Sequence, residues 1–127
     1  MQLNTSKTKS YKEELLENLK DKEYRKAFVD AHINNGISFQ IRSMRGDLTQ
    51  GQVGELAGMK QEQISRLENP NYGRFTLNTL KEIAAAFDVA LTVRFVPFSD
   101  LVKWDINLSS ESLNVPRYDE DSYCNGV

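Results

Sequence analysis

A chain of 127 residues, 39% of them hydrophobic, is long enough for one domain with its own core and for tails on either side. The single cysteine, Cys124, excludes an internal disulfide framework and suits a reducing compartment, no apolar run approaches the ~18 residues of a membrane span, and the polar start at 1–7 has no secretory apolar core, so a soluble cytoplasmic protein is expected. The net charge of −2 does not favour a nucleic-acid partner, but its distribution decides: 40–82 holds six bases and five acids, whereas 105–127 holds one base and five acids.

Ser10 followed by Glu13 has the form of a capping box, and Leu15, Leu16 and Leu19 follow at helical spacing, so a short helix is predicted over about 11–20. Asp21 can cap a second helix in which Tyr24, Phe28, Ala31, His32, Asn35, Phe39 and Arg42 recur at steps of three and four. That helix can run to Arg45, with a bend or break expected at Asn34-Asn35-Gly36. His32 has no ligand-type residue at metal spacing, so it is read as structural or solvated, and neither a metal nor another cofactor is expected.

Gly46-Asp47 breaks the period, and Thr49 can cap a third helix over 50–57. Gly58-Met59-Lys60 is a turn before a fourth helix carrying Ile64 and Leu67 on one face, which stops at Asn69-Pro70-Asn71-Tyr72-Gly73. Thr76 caps a fifth, whose apolar face is Leu77, Leu80, Ile83, Ala84 and Phe87.

After Asp88 the period becomes two. Val89, Leu91, Val93 and Phe95 alternate with Ala90, Thr92, Arg94 and Val96 as far as Pro97, which predicts one β-strand. A lone strand leaves both edges unpaired, so pairing with its copy in another subunit is expected; the competing arrangement is an extended segment lying on the chain's own helices. A last short helix over 98–104 would place Leu101 and Trp104 at core spacing. The segment 105–127 has few large apolar residues to offset its ordering entropy and is expected to be weakly ordered or docked on a partner, with Cys124 an idle thiol. The chain thus divides into an N-terminal extension (1–22), a helical domain (23–88), a dimerisation strand with a short helix (89–104) and an acidic tail (105–127).

The stretch 48–68 has the pattern of a helix-turn-helix, in which a first helix abuts the DNA backbone and a second enters the major groove. Val53 and Ala57 face inward, Gly54 permits a close helix crossing, Gly58 can take the left-handed conformation of the turn, and Ile64 and Leu67 anchor the second helix. Gln61, Glu62, Gln63, Ser65 and Arg66 are left to project outward. Glutamine suits adenine N6/N7, arginine suits guanine, and a carboxylate can accept from cytosine N4.

Through Leu48-Thr49-Gln50, the Gly58 turn and Ile64-Ser65-Arg66-Leu67-Glu68-Asn69, residues from about 40 to 90 resemble the lambda-repressor and Cro-like (XRE) helix-turn-helix family. The resemblance implies an all-α, five-helix DNA-binding domain, here with an added C-terminal strand that pairs across a dimer. It implies that Gln50 contacts phosphate and supports the second helix, that Gln61, Glu62 and Arg66 face bases, and that Lys60, Gln63 and the loop of Asn71, Tyr72 and Arg74 contact phosphate. The family pairs an arginine of the preceding helix with the glutamate matching Glu68; Arg45 is the nearest candidate and Arg42 the other, each able to form a structural ion pair or a phosphate contact. Phe39-Gln40-Ile41-Arg42, the loop 68–73 and the segment 90–98 are also similar to a group of XRE regulators that includes HigA-type antitoxins.

The expected function is therefore sequence-specific regulation of transcription, by a repressor that binds a palindromic operator in double-stranded DNA as a homodimer, with Val89, Leu91, Val93 and Phe95 at the dimer contact. One alternative is an antitoxin that also autoregulates its operon, with a toxin as partner. Another is a protein-interaction module without DNA binding, for which apolar or acidic residues would be expected at the outward positions of 61–66. An enzyme is not expected, because the sequence has no nucleophile-and-base signature, no phosphate-binding Gly-rich loop and no metal-ligand cluster.

Overall fold

The computed structural model describes residues 8–109 and 111–126, in which every regular element is helical. Seven α-helices follow one another: α1 (Tyr11–Asn18), α2 (Lys22–Arg45), α3 (Gln50–Ala57), α4 (Gln61–Leu67), α5 (Leu77–Phe87), α6 (Phe98–Ile106) and α7 (Ser122–Asn125), with 3-10 turns at Glu111–Leu113 and Tyr118–Glu120. Among the described residues no helix is long and apolar enough to cross a membrane.

The spine is α2, whose 24 residues span ~36 Å at the standard rise. It is continuous through Asn34-Asn35-Gly36, where a bend or break was expected. Packing at both ends of the helix overrides the local propensity. Its C-terminal half closes on α3, α4 and α5 around Ile41, Val53, Ile64, Leu67, Ile83 and Phe87, all buried. Its N-terminal half supplies Phe28 to a second, smaller core of Leu15, Leu19 and Val102, which joins α1 to α6.

A Cβ added at Gly36 would meet nothing within 4 Å. Gly36→Ala is therefore expected to stabilise the fold by about 0.5–1 kcal/mol, since alanine lowers the entropy of the unfolded chain and enters a helix freely. A raised urea midpoint would show this; a lowered one would mean that the helix needs freedom at this position.

At the small core, the Tyr11 hydroxyl donates to Asp105 and ties α1 to α6. That bond to a carboxylate pushes the phenol's pKa up to about 12. Val102 is the residue that α6 buries, while Trp104 remains 40% exposed and lies edge-on to His32, with ring centroids 6.5 Å apart. The core spacing expected for Leu101 and Trp104 is thus corrected: Val102 turns inward between α1 and α2, and Leu101 is half-buried beside it.

The expected strand is also corrected. Residues 89–97 form no strand and belong to no ladder, because the described chain offers no second strand to pair with. Before them, α5 ends at Asp88 in the left-handed conformation (φ 57°, ψ 50°), which a short polar side chain tolerates. Val89 packs on the larger core, Leu91 is half-buried, and 92–98 are exposed.

The acidic segment, expected to be weakly ordered or docked on a partner, returns to this point. The Tyr118 N–H donates to the Asp88 carbonyl (2.9 Å), and Val115 lines a cavity of about 80 Å³ together with Ile37, Ile41, Val89, Ala90 and Leu91.

Candidate nucleic-acid interface

Helix α3 begins with a reciprocal cap. The Thr49 hydroxyl accepts from the Gln52 N–H (3.1 Å), and the Gln52 side-chain oxygen accepts from the Thr49 N–H (2.8 Å). It ends at Gly58, left-handed at φ 69° and ψ 35°, and the chain turns at once into α4. Val53 and Ile64 are both fully buried where the two helices meet.

The crossing depends on Gly54. The Met59 N–H donates to its carbonyl (2.8 Å), and a Cβ at this position would sit 2.4 Å from the Met59 carbonyl oxygen. Backbone thus lies against backbone, fixing the angle at which α4 leaves the domain.

Behind α4 lies a chain of polar contacts. Glu68, only 5% exposed, receives two hydrogen bonds from one guanidinium: Arg45 Nε donates to Oε2 at 2.6 Å and Nη2 to Oε1 at 2.9 Å. The remaining donor group, Arg45 Nη1, bonds the Leu48 carbonyl (2.9 Å), so one side chain ties the end of α2 to the start of the motif and to the end of α4. Arg42 donates instead to the Glu68 backbone carbonyl, at 3.4 Å. The carboxylate also raises the pKa of Arg45, chiefly through these hydrogen bonds.

Glu68 Oε1 additionally accepts from Gln50 Nε2 (3.3 Å), and Gln50 Oε1 accepts from Gln61 Nε2 (3.0 Å). The direction of this chain follows from chemistry. An ionised carboxylate only accepts, so Gln50 must turn its NH₂ toward Glu68 and its oxygen toward Gln61. Gln61 then spends one N–H on Gln50 and keeps its other N–H and its oxygen at the exposed start of α4. A free donor and acceptor side by side form the pair that matches an adenine edge.

Residues 41–93 match a protein family described as Helix-turn-helix. Those residues thus carry a helix-turn-helix domain of the lambda-repressor/Cro-like (XRE) kind, which supports a DNA-binding regulator. The match carries the broad family and not the narrower HigA-type group, and no curated protein and no solved structure matches the chain.

The matched region takes in the end of α2, helices α3 to α5 and the chain after α5 as far as Val93, and so contains the buried residues of the larger core. On its outer face Lys60, Gln61, Glu62, Ser65 and Arg66 are exposed, while Gln50 and Gln63 are half-buried. In the following loop Asn71 and Arg74 are exposed and Tyr72 is half-buried. The loop is shaped by Asn69, whose side-chain oxygen accepts from the Asn71 N–H (3.0 Å), and by Gly73 (φ 63°), which lies against Asn34 of α2. Among the described residues Lys60, Arg66 and Arg74 have no ion-pair partner, which leaves their charges to face solvent or phosphate.

The four residues assigned to a dimer contact fall into two sets in the structure. Val89 and Leu91 are partly covered by the chain itself, whereas Val93 and Phe95 are 65% and 106% exposed. Sequence reasoning did not find the Asn34–Gly73 contact or the bond from Arg42 to the Glu68 backbone. Both join residues far apart in the chain and leave no local signal.

Proposed function

We propose that the protein is a transcriptional repressor that binds a palindromic operator as a homodimer, with α4 of each copy in the major groove. The observation that carries this is the directed chain from Arg45 through Glu68 and Gln50 to Gln61, which presents a side chain with both donor and acceptor already oriented. Such ordering removes side-chain entropy before binding, and it has no use on a surface that meets only solvent. Gln61 reads an adenine, Arg66 a guanine and Glu62 a cytosine amine, while Gln50, Lys60, Gln63, Ser65 and the loop of Asn71, Tyr72 and Arg74 hold the sugar-phosphate backbone. Two copies joined through the exposed residues beyond Leu91 place their α4 helices in successive major grooves, ~34 Å apart, and the bound dimer blocks the promoter that it covers.

The test is titration of the purified protein against its own upstream DNA and a scrambled duplex at two salt concentrations. Preference for the upstream duplex, with both affinities falling as salt rises, supports the proposal; equal binding to both opposes it. In the same assay Arg66→Ala is expected to cost ~1–3 kcal/mol on the operator and to relax preference at one base pair. An equal loss on both duplexes would assign Arg66 to phosphate.

A further inference from the structure

The segment after Asp88 is unusual for what it leaves bare. Val93 is 65%, Phe95 106%, Val96 48% and Phe98 42% exposed. Among the described residues no amide or carbonyl of 90–96 makes a backbone hydrogen bond. Exposed apolar side chains beside backbone groups with no hydrogen-bond partner form a template for a strand of another chain. These side chains offer on the order of 500 Å² per copy and ~1,000 Å² for a pair, the lower bound of a specific interface.

Resting on the homodimer reading above, we infer that a second copy of this chain pairs with 93–97 as an antiparallel strand whose two-fold axis passes through Phe95. Three features select this register. Pro97 has no N–H, so residues of its parity belong at the non-hydrogen-bonded positions of the ladder, and Arg94 and Val96 make the bonds. An axis at Arg94 would set two guanidinium groups directly opposite each other, which like charge disfavours. An axis at Val93 would run the partner's strand along 89–91, where Val115 and the Tyr118–Asp88 hydrogen bond already lie.

With the axis at Phe95, the ring faces its own copy across a non-hydrogen-bonded pair, where Cα atoms approach to ~4.5 Å, and Arg94 lies opposite the partner's Val96. The acidic segment thereby acquires a role: it covers 88–91 and confines pairing to the residues beyond.

Cysteine cross-linking reads the register directly. In a Cys124→Ser background, which removes the exposed native thiol, the variants Val93→Cys, Arg94→Cys and Phe95→Cys are each oxidised mildly in dilute solution. Phe95→Cys is expected to form the covalent dimer about tenfold faster than the other two, since only a residue on the axis meets its own copy within disulfide distance. Because Phe95→Cys removes part of the contact, a mixture of Arg94→Cys and Val96→Cys chains keeps Phe95 and is expected to give the mixed disulfide over either self-disulfide.

Faster linkage through Val93→Cys or Arg94→Cys overturns the register and leaves the homodimer standing. A chain that sediments as a dimer but links at none of these positions overturns the interface. A chain that sediments as a monomer overturns both the interface and the homodimer.

Discussion

Replacing Gly54 with alanine is expected to destabilise the domain by ~2–3 kcal/mol and to weaken operator binding beyond what the unfolded fraction explains. In an ordinary helix the same exchange is favourable by about 0.5–1 kcal/mol, so the sign of the result reports the site. The added Cβ would lie 2.4 Å from the Met59 carbonyl oxygen, and that neighbour is backbone, held by its own N–H bond to the Gly54 carbonyl. No rotamer change can relieve the contact. The turn must move by ~1 Å to reach ordinary van der Waals distance, and α4 moves with it.

Gly51 on the same helix is the control. A Cβ there meets only the Thr49 hydroxyl at 3.8 Å, so Gly51→Ala is expected to be neutral or stabilising by up to ~1 kcal/mol. Urea denaturation of both variants, with operator titrations well below the unfolding midpoint, makes the comparison. A Gly54→Ala protein as stable as Gly51→Ala would mean that the two helices can separate freely, and that the crossing angle does not depend on this glycine.

The motif was legible because its constraints are local. A cap at Thr49, a glycine where two backbones cross, a left-handed glycine at 58 and apolar residues at 53, 64 and 67 all lie within about twenty residues, and each has a conformational reason to be where it is. The ends of α2 were legible in its Asp21 cap and its spacing as far as Arg45, but its continuity was not, because Asn34-Asn35-Gly36 carries a weak propensity that two separate cores override. The smaller core was hidden as well: α1 and α6 meet across more than eighty residues, and a short amphipathic helix does not say which of its neighbours will cover it. The period-two pattern after Asp88 marked a segment that is not helical and in which Val93 and Phe95 are exposed, but the strand that it predicts is not formed. It could not give a ladder, since pairing is a property of two chains. The ordered return of the acidic segment rests on one backbone bond, one valine and the approach of the turn at Glu111–Leu113 to α2, too little for composition to reveal.

Glu68→Gln tests the polar chain behind α4 and separates stability from recognition. The carboxylate has three acceptor contacts, two from Arg45 and one from Gln50. An amide keeps one acceptor oxygen and puts its NH₂ against the guanidinium whichever way it turns, and against the Gln50 amide as well when it replaces Oε1, so a donor faces a donor. Glu68 is buried, but the Arg45 side chain is 22% exposed and can recover some solvation, so the cost is placed at ~2–3 kcal/mol rather than at the upper end for broken buried pairs. Operator affinity should fall as well, because Gln50 no longer has a fixed direction and Gln61 presents donor and acceptor in either order.

The double variant Arg45→Met with Glu68→Leu distinguishes the two effects. Replacing a buried pair by apolar groups of similar volume is often close to neutral, so the urea midpoint should recover most of the loss. Gln50 would still lack its acceptor, and discrimination of the adenine position should stay as poor as in Glu68→Gln. A double variant that recovers stability and base preference together would show that the ion pair only holds the helices in place, and that Gln61 finds its orientation on the DNA itself.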